Sequence, residues 1–333
     1  MSDPAGHLGH IQVERSEADA LALELRTWLA GFPAEPPVKP DHRKKLRWPP
    51  PSTSHQYHVL ASDWRGSAIL EVHGERLSVQ VASGPYGVFG RCEQIWLEAR
   101  GETEAEMLNN MRSAAEPYFR KALGIHEVLG LPGRFRGHIE ELEPLALVKL
   151  LFAENRDIAD DAQIEIEKHA GTKLFGPALI EVLRNTSHRN RRIAQWCVLD
   201  LFEELPAYCR DATEERLAVD AMRALIWDAT DDYARAVFKA GVVIGGHLSE
   251  TYGGPVLIEC LAAPSRIGRR SAIHGLFHVV EWVPDLRESV VAKLRTHAES
   301  EPEELLAEFA RRIAADIEAE IVEHYPEPFF PGE

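Results

Sequence analysis

Two stretches of this chain, 78 residues apart, read as copies of one another, and that repetition narrows the possible folds more than any other feature. Residues 191–206 run R-R-I-A-Q-W-C-V-L-D-L-F-E-E-L-P, and residues 269–284 run R-R-S-A-I-H-G-L-F-H-V-V-E-W-V-P. Aligned without gaps, Arg191, Arg192, Ala194, Glu203 and Pro206 fall on Arg269, Arg270, Ala272, Glu281 and Pro284. The offset of 78 is twice 39, which implies one copy in between. A unit of about 40 residues made of two helices cannot bury its apolar side alone, so neighbouring units must stack into a solenoid.

The pattern is helical throughout from Leu142. Paired segments fit at about 142–154 with 157–169, 173–185 with 188–205, 211–228 with 231–247, 252–262 with 266–283, and 286–299 with 302–324. Between them stand residues that stop or cap helices: Asn155, Gly171, Asn185, Asp211, Gly253, Gly254, Pro264 and Pro302. Three second helices open on two arginines, any residue and alanine: Arg191, Arg192, Ala194; Arg269, Arg270, Ala272; and Arg311, Arg312, Ala314. The middle copy departs from this, with Asp231, Asp232 and Tyr233 before Ala234. On these residues the chain resembles the HEAT-repeat (HEAT/armadillo-like α-solenoid) family over about 142–324. The resemblance implies a curved stack whose second helices line a concave side that holds a partner.

The N-terminal part is built differently. Residues 1–15, with His7 and His10, read as a mobile tail. A helix over 16–31 follows, with Ser16 as N-cap, Leu21, Leu25, Trp28 and Leu29 at helical spacing, and Gly31 as its stop. Seven prolines between 32 and 54, with Lys39, Arg43, Lys44, Lys45 and Arg47 among them, predict an extended basic linker. Residues 55–125 predict a small α+β domain. Strands at 67–72 and 75–82 flank a His73-Gly74 turn, a third strand covers 88–99, and helical segments cover 103–115 and 117–123. Helix, three strands and helix is also the order of a double-stranded-RNA-binding domain, but the long linker and the lack of a basic cluster on the last helix argue against that function. A glycine-rich hinge with Arg134 and Arg136 spans 126–141, and an aromatic and proline tail with Tyr325, Phe329 and Phe330 at 325–333 is expected to dock. The expected fold class is therefore an α+β N-terminal unit followed by an all-α HEAT-like solenoid.

Charge bears on function. Residues 1–140 hold 18 acidic and 16 basic side chains, a balance of −2, whereas 141–333 hold 35 and 21, a balance of −14. So acidic a C-terminal half repels nucleic acid and anionic membranes and favours a basic protein partner. Cys92, Cys197, Cys209 and Cys260 lie far apart with no C-x-x-C spacing, as expected of reduced thiols in a cytoplasmic protein. No secretory signal is recognisable at the N-terminus, and no apolar run is long enough to span a bilayer.

At 100° per residue, Arg270, His274, His278 and Glu281 share one helical stripe. Arg192, Trp196, Asp200 and Glu203 form the matching stripe one copy earlier, and Arg235 with Lys239 lies between. These ten residues are the expected partner-binding surface, with Trp196 and Arg270 facing outward as anchors. The leading expectation is a non-enzymatic adaptor, of which an immunity-like inhibitor of a basic effector is a special case. The enzymatic alternatives are a metal-dependent hydrolase on His274, His278 and Glu281 and a HEAT-like DNA glycosylase using Trp196, Asp200 and His274; a third class is a lyase or chaperone handling a tetrapyrrole or other cofactor. No catalytic residue and no cofactor is expected. Gly275 stands where the glutamate of H-E-x-x-H would be, so the histidine pair is not that motif. Gly241, Gly245 and Gly246 inside an apolar helix cost about 1 kcal/mol each relative to alanine, which predicts close packing against a neighbouring helix. The remaining tryptophans, Trp64, Trp96, Trp227 and Trp282, are expected to be core or ridge residues.

Overall fold

The computed structural model describes residues 15–38, 64–95, 97–131, 139–230 and 234–320. Expectations that fall on His7, His10, Lys39, Arg43, Trp96, Arg134, Arg136, residues 231–233 and the tail 325–333 lie outside these. The chain divides into two compact units, one of residues 41–137 and one of 1–40 with 138–333.

The first helix, α1 (Arg15–Ala30), belongs to the larger unit. Ala18, Leu21, Ala22, Leu25 and Leu29 recur at helical spacing and are buried, which fixes the face that packs on later helices. Ser16 stands inside the helix and not at its cap, because the helix begins at Arg15.

The smaller unit is an antiparallel meander of four strands in sequence order, β1 (Trp64–Val72), β2 (Glu75–Gly84), β3 (Gly87–Cys92) and β4 (Leu97–Gly101). The two-residue turn between Val72 and Glu75 has His73 at φ 48° and Gly74 at φ 76°, so both centres are left-handed, as the twist of a tight hairpin requires. The single strand expected over 88–99 is two strands, with Cys92 paired to Leu97 across a turn. The two helical segments expected after it are one helix, α2 (Glu104–Leu129), which runs through Pro117 and ends at Gly130 in the left-handed region, φ 62°. Thr103 caps its start by accepting from the Glu106 amide. Met107, Met111, Ala115 and Phe119, four residues apart, bury against Leu70, Val72, Leu77 and Val79 on one sheet face. Four strands, with the preceding helix held in the other unit, do not reproduce the order of a double-stranded-RNA-binding domain.

The rest of the larger unit is helical: α3 (Pro144–Leu150), α4 (Arg156–Glu167), α5 (Gly176–Arg184), α6 (Arg191–Leu201), the short α7 (Leu205–Tyr208), α8 (Ala212–Trp227), α9 (Ala234–Val242), α10 (Gly254–Cys260), α11 (Arg266–Trp282), α12 (Arg287–Ser300) and α13 (Glu304–Glu318). Three helix starts carry side-chain caps: Asn155 accepts from Asp157 N, Asp211 from Thr213 N and Glu214 N, and Ser265 from Gly268 N. Each first helix packs on its second: α3 on α4, α5 on α6, α8 on α9, α10 on α11, α12 on α13. Second helices also touch in succession, α4 with α6, α6 with α9, α9 with α11 and α11 with α13. First helices do the same from α5 through α8 and α10 to α12, while α1 packs on both α3 and α5.

Part of the expected 32–54 linker is held in place. The Phe32 ring lies 4.5 Å from the ring of His188, itself packed on Trp28 and Phe152. Glu35 N donates to Ser187 O at 3.0 Å and Val38 N to Arg189 O at 2.8 Å. Residues 32–38 are therefore a strap on the helical unit.

Candidate partner-binding surface

The repeated arginine pairs were expected to open the second helices, but only Arg191 does so; Arg269 and Arg270 lie a turn inside α11, and Arg311 and Arg312 stand in the middle of α13. Arg191 Nη1 donates to His188 O at 3.0 Å and to Glu35 O at 2.6 Å. Arg269 Nη1 donates to Ala263 O and Pro264 O, while its Nε and Nη2 grip Glu301 at 2.7 and 2.9 Å. In these two copies the first arginine thus satisfies carbonyls of the inter-helix turn that would otherwise lack donors, whereas Arg311 pairs with the Glu304 carboxylate. The second arginine is buried in the same two copies, and Arg312 is exposed. Arg192 donates to Gln195, whose amide donates on to Leu183 O and Asn185 O. Arg270 lies 4.2 Å from the Phe238 ring centre and 5.1 Å from that of Phe309, with 3% of its surface exposed.

This corrects the expected surface. Arg192, Arg270 and His274 are buried, so Arg270 does not face outward as an anchor. A helical wheel assigns a phase but does not know how far the neighbouring helix overlaps it. Trp196, Asp200, Glu203, Arg235, Lys239 and His278 are partly buried, and Glu281 is exposed.

Within this set the structure makes two groups. In the first, the Lys239 ammonium on α9 lies 4.6 Å above the Trp196 ring on α6, in contact with Asp200 and 3.7 Å from Glu203. The Arg156 guanidinium reaches the same ring from α4 at 5.8 Å and pairs with Asp160 at 3.5 Å. His247 stands 3.9 Å from Glu203. Burial pulls the Lys239 ammonium down to about 8, with Arg156 adding to the fall and Asp160 opposing it. Beneath it the Cys197 thiol is pushed up to about 12, by burial first and Asp160 second, and is unreactive as a nucleophile. In the second group, on α11, His278 Nδ1 lies 3.0 Å from Glu281 and His278 Nε2 lies 3.4 Å from His274 Nε2. Glu281 and His274 therefore flank opposite sides of the His278 ring, and the three do not surround one centre. No group of three or more metal-ligating side chains occurs among the described residues.

Close packing of glycines holds α9 and α11 together. A Cβ on Gly245 would meet Gly275 O at 2.1 Å, and one on Gly241 would meet Ser271 Oγ at 2.3 Å. Gly246, expected to do the same, is clear of the neighbour, with Trp282 Nε1 at 3.8 Å. The helix widens here into π turns at Val243–His247 and Ser249–Gly253.

Trp282, expected as a core or ridge residue, is 66% exposed and so is not in the core. The signal was available: in the 78-residue alignment it falls on Glu204, a solvent position. Compared with known proteins, the chain matches no family model, no curated protein and no solved structure. No helix among the described residues is long and apolar enough to cross a membrane.

Proposed function

We propose that this protein is a non-enzymatic adaptor that holds a protein partner on the face formed by its second helices, in the manner of a HEAT-like solenoid. The observation that carries the reading is the continuity of that face. From α4 through α6 to α9, aromatic and charged side chains contact one another across helix boundaries, from Arg156 and Trp196 to Lys239, Asp200, Glu203 and His247. Such a mixture of an aromatic body and fixed charges suits a polypeptide better than a small ligand. Its exposed charges are mainly carboxylates, and the balance of −14 over residues 141–333 supports a basic partner. The four cysteines, all buried and free, support a reducing, cytoplasmic setting.

The test is affinity capture at moderate salt, followed by titration of the purified partner against wild type and Trp196→Ala. Loss of the indole removes the platform under Lys239 and Arg156, and a fall in affinity of about 2 kcal/mol is expected. Wild-type affinity in a folded Trp196→Ala protein would refute this face as the docking site.

A further inference from the structure

The histidine pair on α11 has a geometry that partner binding does not require. His274 and His278, four residues apart on one helix, turn their Nε2 atoms toward each other at 3.4 Å, with the rings at 84°. That separation lies at the long end of hydrogen bonding between two rings. It fits two ligands on one tetrahedral ion, because Zn–N bonds of about 2.0–2.1 Å place such nitrogens about 3.3–3.4 Å apart. The other nitrogen of His278 is held by Glu281 at 3.0 Å. A carboxylate on the far nitrogen fixes the tautomer that leaves Nε2 free as a donor to a metal, and raises its basicity. The platform is rigid, since most of α11 around the pair is buried, Gly275 and Phe277 included.

We infer that His274 and His278 form a two-imidazole chelate for zinc(II), with Glu281 as positioning residue and the remaining positions filled by water or by a donor from outside the chain. With two protein ligands the site is weaker and more readily exchanged than the three- and four-ligand sites of zinc enzymes and zinc fingers. Arg270, one turn before His274, keeps its charge over the Phe238 and Phe309 rings.

The full chain, stripped with chelator, is titrated with zinc by calorimetry and with cobalt(II) by visible absorption. One equivalent is expected, with the intense visible band of tetrahedral cobalt. His278→Ala, at a partly exposed position, should weaken binding at least tenfold and abolish the band. Glu281→Gln should weaken it about tenfold, as loss of a supporting carboxylate does. His169→Ala, in the turn after α4, should leave both readouts unchanged. Absence of saturable binding, or a one-equivalent site surviving intact in folded His278→Ala, overturns the chelate. Unchanged affinity in Glu281→Gln overturns the positioning role. No partner is used, so failure here leaves the adaptor reading standing.

Discussion

Gly245 and Gly275 meet backbone to backbone, with no room for a methyl group between α9 and α11. Gly245→Ala should therefore cost about 3 kcal/mol or more in chemical denaturation, because neither carbonyl can retreat without opening the pair. Gly246→Ala, one residue on, should change stability by less than about 1 kcal/mol, since its Cβ meets only Trp282 at ordinary contact distance. Equal effects from both would contradict the close approach. Arg270→Ala should behave as a core truncation and lose about 3 kcal/mol, whereas Arg270→Met, which keeps an apolar stem against Phe238 and Phe309, should recover most of it. If the two variants lose the same amount, the charge and not the packing is what the site holds. At this scale the sequence was informative about position and poor about depth. Glycines in an apolar helix announced a close contact, but which of three made it depends on the crossing point of two helices. The arginine repeat was visible, but that Arg270 is buried depends on Phe309, 39 residues downstream.

Among the elements, α1 with its strap is the one whose docking ought to respond to pH. His188 is buried between Trp28, Phe32 and Phe152, and its Nδ1 accepts from Asn190 N at 3.0 Å, a bond that only the neutral ring can accept through that atom. Burial first, then Arg189 and Arg191, lower its pKa to about 4. Once unfolded or undocked, the ring takes up a proton near its ordinary value of about 6.5, so the docked state binds fewer protons across this window. The stabilisation is complete above about pH 6.5 and is lost as pH falls toward about 4, a change on the order of 3 kcal/mol. Cleavage after Glu35 by a glutamyl endopeptidase should accordingly be slow at pH 7 and fast near pH 4.5, while His188→Phe should flatten the dependence. Equal cleavage at both pH values in wild type would show that His188 does not hold the strap. The helical period of α1 was plain from Leu21, Leu25 and Leu29. Its partners were not, because His188 and Phe152 lie more than 100 residues away and nothing local encodes that contact.

For the whole molecule, the division into a small sheet unit and a helical remainder follows from two periods that sequence displays openly, alternation around His73-Gly74 and helical spacing after Leu142. The pairing of helices was legible because caps and glycines mark its breaks. The sheet was undercounted because residues 93–96, between β3 and β4, include neither glycine nor proline. The functional face was legible in phase but not in exposure: Trp282 was left between core and ridge, and three of the ten expected residues are buried. The central claim is that the second-helix face, and not the first-helix layer, receives the partner. The most direct measurement is a titration of the captured partner against two charge reversals, Glu203→Lys on the second-helix side and Glu215→Lys at a partly exposed position on α8. Binding at least tenfold weaker in Glu203→Lys, with Glu215→Lys at wild-type affinity, is the result expected. Weakened binding in Glu215→Lys alone, both proteins being folded, would contradict it.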